Sequence, residues 1–124
     1  MGLLSELLGN ASEVDLDKII EEYQPILGTG EEIELALKVI RDLFIFTNKR
    51  LLLADKQGMT GKKTEYHSIP YISISHYAVI TAGHFDMDAE LRIWLTSSNE
   101  PIVKDVKSGD SILKIQKALA TFVG

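Results

Sequence analysis

Cysteine is absent from the chain. Disulfides and thiolate-held metals are therefore excluded, and the composition suits a reducing compartment. Long apolar runs are missing as well. The longest, Leu43–Phe46 and Leu51–Ala54, fall far short of the roughly 18 residues that a membrane-spanning helix needs. Basic charge is scarce: 13 Lys and Arg against 18 Asp and Glu leave a net charge of −5. A general nucleic-acid binder needs a positive field to displace counterions from phosphates, so that class is disfavoured. The start of the chain, Met1–Glu6, has neither the basic cluster nor the apolar stretch of a secretory signal. Glu6 also stands where N-myristoylation wants Ser or Thr. The expectation is a cytoplasmic protein with no stable membrane insertion and no nucleic-acid partner.

What is present is enough for one core. At 124 residues the chain can bury about two-thirds of the surface its unfolded form exposes. Leu3, Leu4, Leu7 and Leu8 recur at helical spacing until Gly9-Asn10. Ser12 and Asp15 form a capping-box start for a second helix, whose apolar stripe is Leu16, Ile19, Ile20 and Tyr23 and which Pro25 ends. From Glu32 the period changes to two: Ile33, Leu35, Leu37 and Val39 share one face, and Glu32, Glu34, Ala36 and Lys38 the other. After a tight connection at Arg41-Asp42, two apolar runs flank Asn48-Lys49, the pattern of a two-residue β-hairpin. The runs do not alternate, so both faces of the hairpin need cover, from the N-terminal helix or from a neighbouring subunit.

Further along, Asp55–Gly61 reads as a polar loop and Lys62–Ser68 as a strand, with a corner at Pro70. In Tyr71–Thr81, Ile72, Ile74, Ala78 and Ile80 fall in one register and Ser73, Ser75 and Tyr77 in the other. Leu91, Ile93 and Leu95 line a strand with Arg92 and Trp94 opposite, and Pro101–Lys107 is the last strand. A closing helix, capped by Ser108 or Asp110, carries Ile112, Ile115, Leu119 and Phe122 on one stripe. The fold expected is mainly β: about seven hairpin-connected strands in an antiparallel barrel or sandwich, with a terminal helix.

The segment Leu43–Lys56, with Gly58, Thr60-Gly61-Lys62-Lys63, Ile69-Pro70-Tyr71 and Ile74, resembles the signature of bacterial pleckstrin-homology (PH) domains, in their soluble stand-alone branch. The resemblance covers roughly Glu31–Phe122. It implies a seven-stranded barrel capped by a helix and assembled as a ring-shaped homo-oligomer. The expected organisation is a helical appendage over residues 1–30, used in assembly, and a PH-like barrel over residues 31–124.

No residue pattern points to chemistry. His67, His76 and His84 lie nine and eight residues apart, a spacing that matches no zinc motif. Asp86, Asp88 and Glu90 open like a calcium loop, but the glycine and late glutamate that would complete it are missing. No serine sits in a nucleophile elbow. Lipid-binding PH domains use basic residues after the first and third strands. Here Arg41, Lys56, Lys62 and Lys63 occupy those loops, partly cancelled by Asp42 and Asp55. Gly58 and Gly61 serve turn geometry. No catalytic, cofactor-binding or metal-ligating residue and no cofactor is expected. The function expected is a non-enzymatic interaction and assembly module that associates with itself and presents a surface to a further protein. The alternative is peripheral binding of anionic lipid or a small ligand.

Overall fold

The structure, a computed structural model of the chain, describes residues 16–39, 42–57, 63–81, 89–106 and 109–124. The readings made above for Leu3–Leu8, Ser12, Asp15, Arg41, Gly58, Gly61, Lys62, His84, Asp86, Asp88 and Ser108 lie outside the described residues. The chain divides into two compact units, Met1–Ser68 and Ile69–Gly124.

In the N-terminal unit, helix α1 (Leu16–Tyr23) runs into a 3-10 turn (Gln24–Ile26) that contains Pro25. Four strands follow as an antiparallel meander: β1 (Ile33–Val39), β2 (Asp42–Thr47), β3 (Arg50–Gln57) and β4 (Lys63–Pro70), in that spatial order. The hairpin around Asn48-Lys49 forms as its sequence dictates, Phe46 pairing with Leu51 and Asp42 with Asp55. Asp42 therefore belongs to β2 rather than to the connection before it. Asp55 likewise lies in β3, which the sequence had ended at Ala54.

Register sorts the hairpin into two faces. Leu35, Leu37, Phe44, Phe46, Leu51 and Leu53 share one and are all buried. Ala36, Ile45 and Leu52 share the other, and α1 covers them: Tyr23, Ile33, Ala36, Ile45, Leu52 and Ala54 form one cluster, with Leu16, Ile19, Ile20, Leu27 and Leu43 packed around it. The second apolar face is thus satisfied by this chain's own helix. A β-bulge between Ile33 and Leu35 corrects the expected strand pattern. The extra residue turns Ile33 onto the Ala36 face, away from Leu35 and Leu37, because every inserted residue reverses the alternation.

The C-terminal unit opens with a 3-10 turn (Tyr71–Ser73), where the sequence reading had begun a strand. A second meander follows: β5 (Ile74–Thr81), β6 (Ala89–Leu95) and β7 (Ile102–Val106). Another bulge, between Ile74 and His76, overturns the expected register of β5. Ile74 is buried opposite Leu95, and Tyr77 and Val79 lie across from the buried Ile93 and Leu91. Ala78 and Ile80 point to the other side, and Ile72 is 90% exposed in the turn. Helix α2 (Gly109–Phe122) closes the unit. Ile112, Ile115 and Leu119 are fully buried as their spacing requires, and the Phe122 ring stacks on Tyr71 at 5.3 Å. Since α2 starts at Gly109, Asp110 lies in its first turn rather than at its cap.

Candidate functional site

The densest polar network in the described residues grows out of the hairpin turn. Thr47 and Arg50 flank the two-residue turn, so strand parity puts them on the same face as Ile45 and Leu52, the face that α1 covers. Both therefore point at the loop that follows α1, where Gly30 adopts a positive φ of 76° that only glycine takes without strain.

Each of the four residues from Thr47 to Arg50 holds that loop. The Thr47 hydroxyl donates to Glu31 Oε2 at 2.7 Å. Asn48 acts as an added rung of the sheet: its side chain accepts from the Glu32 N–H (2.8 Å) and donates to the Gly30 carbonyl (3.0 Å), while its backbone N–H reaches the Glu32 carbonyl (3.0 Å). Lys49 Nζ donates to the Thr29 carbonyl at 2.7 Å. Arg50 grips Glu31 with two nitrogens (2.8 and 3.1 Å), donates to the Ile26 carbonyl (2.8 Å), and reaches Ser68 Oγ on β4 (2.6 Å). One guanidinium thus ties the helix-following loop, the hairpin and the fourth strand together, a use that depends on its planar fork of donors.

Glu31 is the centre of this clasp. Its side chain is 3% exposed, and it also accepts from the Gly28 N–H at 2.8 Å. Burial alone would raise its pKa. The hydrogen bonds from Arg50, Gly28 and Thr47 and the Arg50 charge outweigh burial and bring it down from 4.5 to about 2. A carboxylate so held stays ionised at neutral pH, its oxygens taken up by the groups it accepts from. At the end of α1, Tyr23 meets Tyr66 of β4 edge to face at 6.0 Å. Burial, with smaller contributions from Glu22 and Tyr66, pushes the Tyr23 phenol up to about 12. The chemistry of this site is structural: it fixes α1 against the sheet.

A second, quite different surface is the outer face of the C-terminal sheet. His76 stacks on Trp94, its cross-strand neighbour, at 4.5 Å and 12° between planes, and Ser75 Oγ lies 3.0 Å from His76 Nδ1. Further along the same face, Glu90 pairs with Arg92 on β6, flanked by Ile80 on β5 and by Val103 and Asp105 on β7.

The structure does not gather the residues that sequence reading weighed as candidates. His67 is on β4 in the N-terminal unit and His76 on β5 in the other. Glu90 is a strand residue engaged by Arg92, not part of a loop. Among the described residues no group of three or more His, Asp or Glu side chains could hold a metal ion. Lys63 is exposed at the start of β4, and Lys56 lies within β3 rather than in a loop. Glu31 escaped the sequence reading. It sits in a loop without periodicity, and the one hint was an acidic residue next to the Gly28–Gly30 turn with an unassigned arginine downstream.

Residues 2–123 match the bacterial PH domain family. An uncharacterized protein of Bacillus subtilis (strain 168), YjqA, is 54% identical over 121 residues, 97% of each chain. Among solved structures, a pleckstrin homology domain from Shewanella amazonensis SB2B shares 57% identity with a TM-score of 0.85 and 98% of each chain covered. A DUF1696 family protein with a pleckstrin-homology domain from Shewanella loihica PV-4 shares 53% identity with a TM-score of 0.77, covering 90% of this chain and 95% of its own. Seven strands in two antiparallel meanders with a closing helix, and a hairpin clasp inside the first of them, are therefore the PH-like fold of a chain that belongs to the bacterial PH domain family.

Proposed function

We propose that this chain is a non-enzymatic interaction and assembly module that associates with copies of itself, in a ring, in the cytoplasm. PH domains are generally binding modules rather than enzymes, which supports the first half of the reading. The observation that carries the second half is the set of large apolar side chains left open on the C-terminal unit: Ile72 at 90%, with Ile80, Val103 and Leu113 each close to half exposed. Two of them, Ile80 and Val103, share one sheet face, and grouped apolar exposure of this kind marks interaction surfaces. The apolar hairpin offers no such surface, because α1 covers its second face. Light scattering on the purified full chain at micromolar concentration tests the reading. A mass several times that of the 13.8 kDa chain is expected, and a monomer across that range would refute self-assembly.

A further inference from the structure

Strand β4 is the strand of the first meander with the least cover. It pairs with β3 on one side and, among the described residues, with no strand on the other. Of its eight residues only Ile69 is buried, while Lys63, Glu65, Tyr66, Ser68 and Pro70 are exposed. The opposite edge strand, β1, differs: Leu35, Ala36 and Leu37 bury both of its faces. An edge strand presents a row of backbone N–H and C=O groups that another strand can satisfy in series, and native edges are often blunted by lysine or proline. In β4 those residues stand at the two ends, Lys63 and Pro70, and the positions from Thr64 to Ile69 hold neither.

The side chains beside this edge select what can lie along it. Tyr66 and Ser68 share the face towards α1, where Tyr66 meets Tyr23 and Ser68 accepts from Arg50. Arg50 also holds the Ile26 carbonyl, which draws the 3-10 turn towards the same stretch of strand. Ile26 at 47% and Tyr66 at 52% are the large apolar side chains that the described part of this unit leaves exposed. Asp17, Glu21 and Glu22 on α1 and Glu65 on β4 are exposed as well, against Lys18 and Lys63. Glu22 and Tyr66 both act on the Tyr23 phenol, so they border one corner. Arg50 adds no open positive charge, because Glu31, Ser68 and Ile26 engage its nitrogens. The edge is therefore flanked by apolar and acidic groups, in a chain whose net charge of −5 draws cationic partners.

We propose that the outer edge of β4 takes an extended peptide of another protein as a fifth strand, its apolar side chains packing on Tyr66 and Ile26 and its basic ones facing Glu21, Glu22 and Glu65. This deepens the interaction half of the reading above and rests on it, without needing self-assembly. In strand addition the main-chain bonds supply the hold and alternate side chains supply the choice of partner. Nucleic acid is repelled by the same carboxylates. A peptide paired from Thr64 to Ile69 covers roughly 20 Å of edge, so the complex is small, weak and quickly exchanged. Its charged part is screened as the Debye length falls from about 8 Å at physiological ionic strength to about 3 Å at 1 M salt.

The test uses the full chain and a dye-labelled, end-capped peptide that alternates valine with lysine and threonine, read by fluorescence anisotropy and amide hydrogen exchange. Saturable binding is expected, with alternate amides between Thr64 and Ile69 slowing when the peptide is bound. N-methylating the peptide amides along one edge removes about three hydrogen bonds and is expected to weaken binding roughly a hundredfold, while methylating the other edge leaves most of it. Glutamate in place of the peptide's lysines is expected to weaken it about tenfold at low salt. Ile26→Ser, Tyr66→Ser and Glu22→Lys should each cost roughly fivefold, with circular dichroism checking that each variant is folded. No binding at millimolar peptide, or equal binding of both methylated forms, overturns the proposal. So does protection that falls on another strand, or β4 amides already protected without peptide, which would mean that a second copy holds the edge. Light scattering reports self-assembly separately: a monomer that binds the peptide leaves this inference standing, and an assembly that does not bind it leaves only the self-assembly reading.

Discussion

Replacing Glu31 by Gln removes one charge and almost no volume, so it isolates what the clasp gains from ionisation. The Glu31 carboxyl titrates at about 2 in the folded chain against an ordinary value of 4.5. A pKa depressed on folding adds stability that is fully present above the unfolded value and is lost as pH falls towards the folded one. At about 1.4 kcal/mol per unit, the difference corresponds to roughly 3 kcal/mol at pH 7. The same relation leaves roughly half of it at pH 3, where the unfolded chain has bound the proton and the folded one mostly has not. Urea denaturation of the wild-type chain and Glu31→Gln at both pH values reads this directly. The expected outcome is a gap of about 2–3 kcal/mol at pH 7 that narrows by more than 1 kcal/mol at pH 3, with unchanged m-values. A double-mutant cycle with Arg50→Ala should recover much of the coupling, since each substitution leaves its partner without its main contact. A gap under 1 kcal/mol at pH 7, or one that does not change with pH, would refute the assignment of Glu31 as the ionised centre of the clasp.

Other outcomes follow from single features. Leu119→Ala, at a fully buried position on α2, should cost roughly 2–5 kcal/mol in denaturation, and a loss below half a kcal/mol would mean that the helix is not docked through this residue. Gly30→Ala meets no atom within 4 Å, so its cost is the backbone alone, about 1 kcal/mol for a φ of 76°; Gly30→Asn should recover part of it. Vesicles carrying a single phosphoinositide should bind the chain without headgroup selectivity at physiological salt. Each near-surface lysine adds only about 1 kcal/mol towards an anionic membrane, and the net charge is −5. Salt-resistant micromolar binding that Lys62→Glu with Lys63→Glu abolishes would reverse this.

The parts of the fold that sequence made legible are those whose signal is local. The hairpin around Asn48-Lys49, the apolar stripe from Leu16 to Tyr23 and the buried stripe of α2 each declare themselves within a dozen residues. The failures share one physical cause. At Ile33 and again at Ile74 a single bulged residue reverses the alternation, and nothing in the residue types distinguishes a bulge from a continuous strand. Ile72, placed in one register with Ile74, Ala78 and Ile80, instead lies in a 3-10 turn and is the most exposed large apolar side chain among those described. The clasp was half legible: Asn48-Lys49 was read as the turn, but the partners of Thr47–Arg50 in the loop after α1 lie 16 to 24 residues upstream in chain without periodicity. No window-based pattern spans that distance.

The strand order β1-β2-β3-β4 in one sheet and β5-β6-β7 in the other has a bearing on how the chain is made. Among the described residues every pairing joins strands that are consecutive in sequence, so neither sheet waits for a distant segment. The farthest reach of the clasp, from Arg50 back to the Ile26 carbonyl, closes 24 residues, a loop whose entropic cost barely exceeds that of one half as long. By the time Ser68 has left the ribosome, all the partners of Arg50 and Glu31 described above have been synthesised. A nascent chain can therefore complete α1, its loop and the first meander before the C-terminal sheet has emerged. The exposed Ile72, Ile80 and Val103 emerge only after that scaffold can be in place.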